Sequence, residues 1–183
     1  MNATQANTSD TPRSIETVMK QVGAVSQRYE LDEIRFTDCS FALSEAGDDA
    51  DSDVRLAIAD RTVTREDPHL RVGLLFEFSA YPPTNEYRRR VDIRARMTLR
   101  YRLEPDQSDV SDDDAHTFGI VNGIYNAWPY LREYVQSSLV RLSLPQFELP
   151  LLRVGAAARL AGLVDTQPPP GPEPDGEEPA GTR

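Results

Sequence analysis

Apolar residues recur along this chain with two different periods, and the change of period marks out its elements. Val91, Ile93, Ala95, Met97, Leu99, Tyr101 and Leu103 alternate with Arg90, Asp92, Arg94, Arg96, Thr98, Arg100 and Arg102. Period two over so many residues predicts a strand with one face in a core and the other in water. So long a strand is expected to bend or bulge. Leu70, Val72, Leu74, Phe76 and Phe78 predict the strand before it, and "YPPTNE" the turn between the two, because consecutive prolines cannot serve an interior ladder. Val54, Leu56 and Ile58 predict a further strand. Between Leu31 and Leu43 the alternation changes parity: Ile34 and Phe36 share one, Cys39, Phe41 and Leu43 the other. One inserted residue near Thr37 and Asp38, a β-bulge, would bring both sets to the same face.

Either side of the strands the period lengthens to three and four. Ile15, Val18, Met19, Val22 and Val25 predict a docked helix beginning near Ser14, with Ser14 and Thr17 as a weak cap. A long helix is expected from about Asp113 to Leu142, its first aspartates lying at the positive end of the helix dipole. It carries two apolar stripes, Phe118, Val121, Tyr125 and Trp128 on one and Ile120, Ile124, Ala127 and Leu131 on the other. A helix lying on its own sheet needs one stripe, so the second predicts burial against another chain. Pro129 removes a hydrogen bond to Tyr125 and predicts a kink or a restart. Gly119 and Gly123, four apart, each disfavour a helix by about 1 kcal/mol relative to Ala; they read either as a place where two backbones approach or as a later helix start. Beyond Pro145, "VGAAARLAGLV" predicts a short last helix.

Four strands in succession, joined by polar turns and followed by helices, indicate an α+β fold: a four-stranded antiparallel sheet with a long C-terminal helix packed on one face, plus a short terminal helix. Residues 14–164 form the expected domain. Residues 1–13 read as a disordered N-terminus, and the proline-rich acidic segment 165–183 as a disordered tail.

Charge and composition narrow the chemistry. With 30 acidic against 20 basic residues the net charge is -10, which argues against nucleic acid as a partner. The one cysteine allows no intrachain disulfide and no cysteine zinc site, consistent with a cytoplasmic location. No run of about 18 apolar residues predicts membrane insertion. His69, His116 and Cys39 are isolated from one another in sequence, so no catalytic residues, no metal site and no cofactor are expected. Cys39 reads as a small packed hydrophobe. The arginine face of the last strand reads as solvated, or as a docking patch for acidic groups. It does not read as an RNA platform, because Tyr87 and Tyr101 fall on the apolar parity.

The segment from Ile124 to Pro150 resembles the C-terminal half of the SecB family of export chaperones and of the SecB-like chaperones that accompany some toxin and antitoxin systems. The resemblance rests on Trp128, Pro129, Tyr130, Arg132, Glu133 and Arg141 on the helix, then Leu144, Pro145, Gln146, Phe147 and Leu149 beyond it. "IRFTDCSFAL" is similar to the family's first strand. The resemblance implies an ATP-independent chaperone that binds unfolded or nascent polypeptides in an apolar groove, in protein export or as a dedicated adaptor for one antitoxin-like client. It implies that Leu144, Phe147, Leu149 and Leu151 contact the client. It also implies a homo-oligomer, dimer or tetramer, joined through the long helix, with Phe118, Val121, Ile124, Tyr125 and Trp128 at the interface. Three departures from the exporting members point to a different or dedicated client: the arginine row where carboxylates are expected weighs against their motor partner, the acidic "EAGDDADSD" crossover implies a narrower or one-walled groove, and the tail lacks the metal-binding cysteines and histidine.

Overall fold

A computed structural model describes residues 13–45, 54–80, 89–105, 110–144 and 148–164. The expectations for both termini, the acidic crossover and the "YPPTNE" turn lie outside these residues. Along the chain come helix α1 (Ile15–Ser26), strands β1 (Tyr29–Glu45), β2 (Arg55–Glu66), β3 (His69–Ala80) and β4 (Arg89–Leu103), then helices α2 (Asp112–Arg141) and α3 (Val154–Leu160). The strands form one antiparallel sheet in the order β1-β4-β3-β2, so β1 and β2 are its edges.

β4 is buried along the whole of its expected face, from Val91 to Leu103. It runs without a register shift against β3, where a bend or bulge was expected. The extra residues sit in the edge strands instead. β1 inserts one between Leu31 and Glu33 and another between Phe36 and Asp38, and β2 one between Ile58 and Asp60. Bulges belong at edges, where twisting the strand interrupts the ladder on one side only. The shift beside Thr37 is the one the parity change predicts. The shift beside Ala59 lets β2 continue to Glu66, well past the Val54–Ile58 alternation.

On the other face of the sheet four arginines of β4 meet carboxylates from the other three strands. Arg94 pairs with Glu77 of β3 at 2.9 Å, Arg96 with Asp60 of β2 at 2.9 Å, and Arg100 and Arg102 with Asp32 and Glu30 of β1 at 2.8 and 2.6 Å. Exposed pairs of this kind contribute only about 0–1 kcal/mol each. They do make the face a mixed lattice of charge. Leu75 is buried on this face and stands apart from the main core.

α2 packs chiefly over β2, β3 and β4, while α1 and α3 pack against α2. Ser111 caps it by accepting from the Asp114 amide at 3.1 Å, with the three aspartates in the first turn. The helix continues through Pro129 to Arg141 with no restart. The two glycines mark a close approach of helix to sheet. A Cβ at Gly119 would lie 3.1 Å from Val63 Cγ1, and one at Gly123 would lie 2.8 Å from Val72 Cγ1. Val72 is fully buried and stiff at χ1, so it cannot yield readily. Gly123→Ala is therefore expected to destabilise by about 1–2 kcal/mol, overpacking outweighing the gain in helix propensity. Urea unfolding measures it, and a stabilised variant would show that the helix can rise off the sheet without cost.

Tyr101, on β4, is buried beneath α2, where its ring meets Phe118 edge-on at 5.2 Å. Its hydroxyl accepts from Asn126 Nδ2 at 3.0 Å. Burial pushes this phenol well above its usual value, partly offset by the bond from Asn126. The unfolded chain thus releases the proton first. The contribution is complete below about pH 10 and is lost as pH climbs further, so stability is expected to fall on the alkaline side of pH 10. In Tyr101→Phe that alkaline slope is expected to be shallower.

Candidate groove between the long helix, the first strand and the C-terminal strap

The candidate site begins with the segment Glu148–Arg153, which has no helical or strand pairing of its own and is strapped across α2 by two side chains. Trp128 Nε1 donates to the Pro150 carbonyl at 2.8 Å, and Arg132 Nε donates to the Leu149 carbonyl at 2.7 Å. Trp128 and Arg132 are four apart on the helix and so project in the same direction. Successive carbonyls of an ideal strand point to opposite sides. Two in a row held by one helix therefore require the strap to twist at Pro150. In consequence Leu149 turns inward and is 3% exposed, whereas Leu151, two residues on, turns outward and is 82% exposed.

Beside the strap lies an open depression of about 320 Å³ whose walls are Leu31 of β1, Tyr125, Trp128, Pro129 and Tyr130 of α2, and Leu151. Asn126 and Arg132 add polar atoms to its rim. Tyr125 is 40% exposed and Tyr130 46% exposed, so the helix presents aromatic faces to solvent here. Pro129 leaves the Tyr125 carbonyl without its helical donor at this wall. The inner face of β1 continues the apolar surface. Leu31, Phe36 and Phe41 are each more than a third exposed, and Phe36 packs on Tyr134 with ring centroids 5.4 Å apart. Cys39, expected to be packed, is exposed on the same strand because α2 lies mainly over the other three.

The four residues expected to contact a client are thus in different places. Leu151 lines the groove. Leu149 is in the chain's own core, Leu144 is partly buried against that core, and Phe147 lies outside the described residues. Of the residues expected at an oligomer interface, Phe118, Val121, Ile124 and Trp128 are buried within the single chain and only Tyr125 is exposed. The burial that two apolar stripes demand is supplied by the sheet on one side of α2 and by α1 and α3 on another. Leu31, Pro129 and Tyr130 were not anticipated as groove walls. The available signal for Tyr130 was an aromatic residue outside both helical stripes.

Among known proteins, no family model matches the chain and no curated protein matches it. A solved structure does: the SecB-like chaperone Rv1957 of Mycobacterium tuberculosis, in complex with a ChAD peptide from the HigA1 antitoxin, aligns with a TM-score of 0.60 at 16% identity, covering 76% of this chain and 98% of that one. The chain has a SecB-like fold. A Streptococcus agalactiae protein of unknown function aligns at 11% identity over 66% of this chain and 98% of its own, with a TM-score of 0.32, too low to carry any argument. Among the described residues no helix is long and apolar enough to cross a membrane.

Proposed function

We propose that the protein is an ATP-independent chaperone that holds unfolded polypeptide segments in the groove between β1, α2 and the strap. The observation that carries this reading is Leu151, a large apolar side chain turned out to solvent at the mouth of a groove walled by exposed Tyr125 and Tyr130. A leucine held in water by two hydrogen bonds behind it is stabilised when another apolar group covers it. Aromatic faces accept aliphatic, aromatic and proline side chains with little demand on sequence, as suits unfolded clients. Arg132 and Asn126 can meet the client's backbone carbonyls. The SecB-like fold, and the antitoxin peptide present with the Mycobacterium tuberculosis protein, support the same reading.

That peptide also favours a second reading, a dedicated adaptor that protects one antitoxin-like client and ignores others. The client-contact set we propose is Leu151 with Leu31, Tyr125 and Tyr130, joined by Phe147 from the same connection. We further propose a cytoplasmic homo-oligomer in which α2 contributes Tyr125. The two functional readings separate in a light-scattering assay over a panel of unrelated unfolded proteins. A general holdase slows aggregation of most of them at stoichiometric concentration. A dedicated adaptor protects none of the panel, yet retains an unfolded antitoxin-like segment in solution. Failure with every member of both classes rejects the chaperone reading itself.

A further inference from the structure

The outer face of the sheet, opposite the helices, carries a second concavity. Register aligns Arg35, Thr98, Gly73 and Thr62 in one row across all four strands, and Glu33, Arg100, Arg71 and Thr64 in the next. The first row is low in the middle. Gly73 has no side chain, and a Cβ there would come within 2.6 Å of Thr62 Oγ1. The neighbouring row is tall, with two arginines side by side. Where the rows meet, a depression of about 210 Å³ is lined by Arg35, Arg71, Arg100, Thr37, Thr98 and Glu33.

Three guanidinium groups from three strands therefore line one depression together with a single carboxylate. Arg35 Nη2 meets Glu33 at 2.7 Å, Arg100 Nε meets Asp32 at 2.8 Å, and Arg71 Nη2 meets Glu66 at 3.2 Å. Each guanidinium has five N–H donors, so these pairs leave donors on all three. Asp32 and Glu66 do not line the depression; they hold two of the arginines from outside it. A planar carboxylate offers two oxygens in one plane and can satisfy one arginine fork. A tetrahedral oxyanion offers three terminal oxygens to three arginines approaching from different strands.

We propose that this depression is a phosphate site, taking either the free ion or a phosphorylated side chain. It lies on the face of the sheet away from the groove, so it stands or falls independently of the chaperone reading. The arginines are half-exposed, so binding is weak and falls as salt is raised.

The test is titration of the full chain, followed by amide NMR at constant pH and ionic strength, with inorganic phosphate, O-phosphoserine and acetate as separate probes. Phosphate or phosphoserine should give saturable shifts centred on Thr98 and Gly73, and acetate should not. Arg71→Gln and Arg100→Gln should each weaken binding at least threefold while retaining the amide spectrum of the fold, since both side chains are half-exposed on the outer face and lie outside the core. Tighter binding of O-phosphoserine assigns the site to a phosphorylated side chain, and tighter binding of inorganic phosphate to the free ion. Acetate shifts equal to those of phosphate, or unchanged affinity in both variants, would overturn the proposal.

Discussion

Leu151→Asp should leave the protein as stable as before and weaken its hold on an unfolded client by roughly 10- to 100-fold. The first half follows from exposure: at 82% exposed, Leu151 contributes almost nothing to the chain's own core, and solvated positions of this kind shift stability by about 0.5 kcal/mol or less. The second follows from what a client would lose. Covering a leucine is worth about 1.5–3 kcal/mol, and each 1.4 kcal/mol is about a tenfold change in affinity. Val140→Asp is the matched control, an exposed apolar residue of α2 that does not line the groove; its affinity should be unchanged. Denaturant unfolding together with client titration reads both halves. Equal affinity in Leu151→Asp and the parent would remove Leu151 from the binding surface.

Trp128 carries the largest expected effect on stability. Its ring is buried, and its indole N–H holds the strap at the Pro150 carbonyl. Trp128→Ala removes the ring and leaves a cavity between α2 and the strap, a loss of about 3–5 kcal/mol. Trp128→Phe retains most of the packing and loses the N–H. Because Pro150 is exposed, its carbonyl can take water instead, so the cost there is about 0.5–1.5 kcal/mol. The contrast separates packing from clamping. If the two variants unfold at the same denaturant concentration, the ring's bulk is not what secures the strap.

Much of this architecture is legible in the residue order because one-sided burial writes itself as a period. β4 displays it in full, and of the two readings that the Gly119 and Gly123 pair leaves open, close approach is the one found, against Val63 and Val72. Three features are not legible, each for a physical reason. Two apolar stripes show that α2 is covered on two sides without showing whether the second cover is another chain or α1 and α3 of the same one. The arginines of β4 are visible, but their carboxylates are distributed over the three other strands, and pairing depends on bulges that shift register by one residue. Alternation places Leu149 and Leu151 together; the twist at Pro150, set by bonds from Trp128 and Arg132 some twenty residues away, turns them apart.

The chain has a single tryptophan, and it is a wall of the groove. Its emission therefore reports on that place alone. The decisive measurement is a fluorescence titration of the protein with a tryptophan-free polypeptide, once unfolded and once folded. The account predicts a saturable change in Trp128 emission with the unfolded form, lost in Leu151→Asp, and none with the folded form. Aggregation protection that persists while Trp128 emission stays flat would place client binding elsewhere and contradict the account.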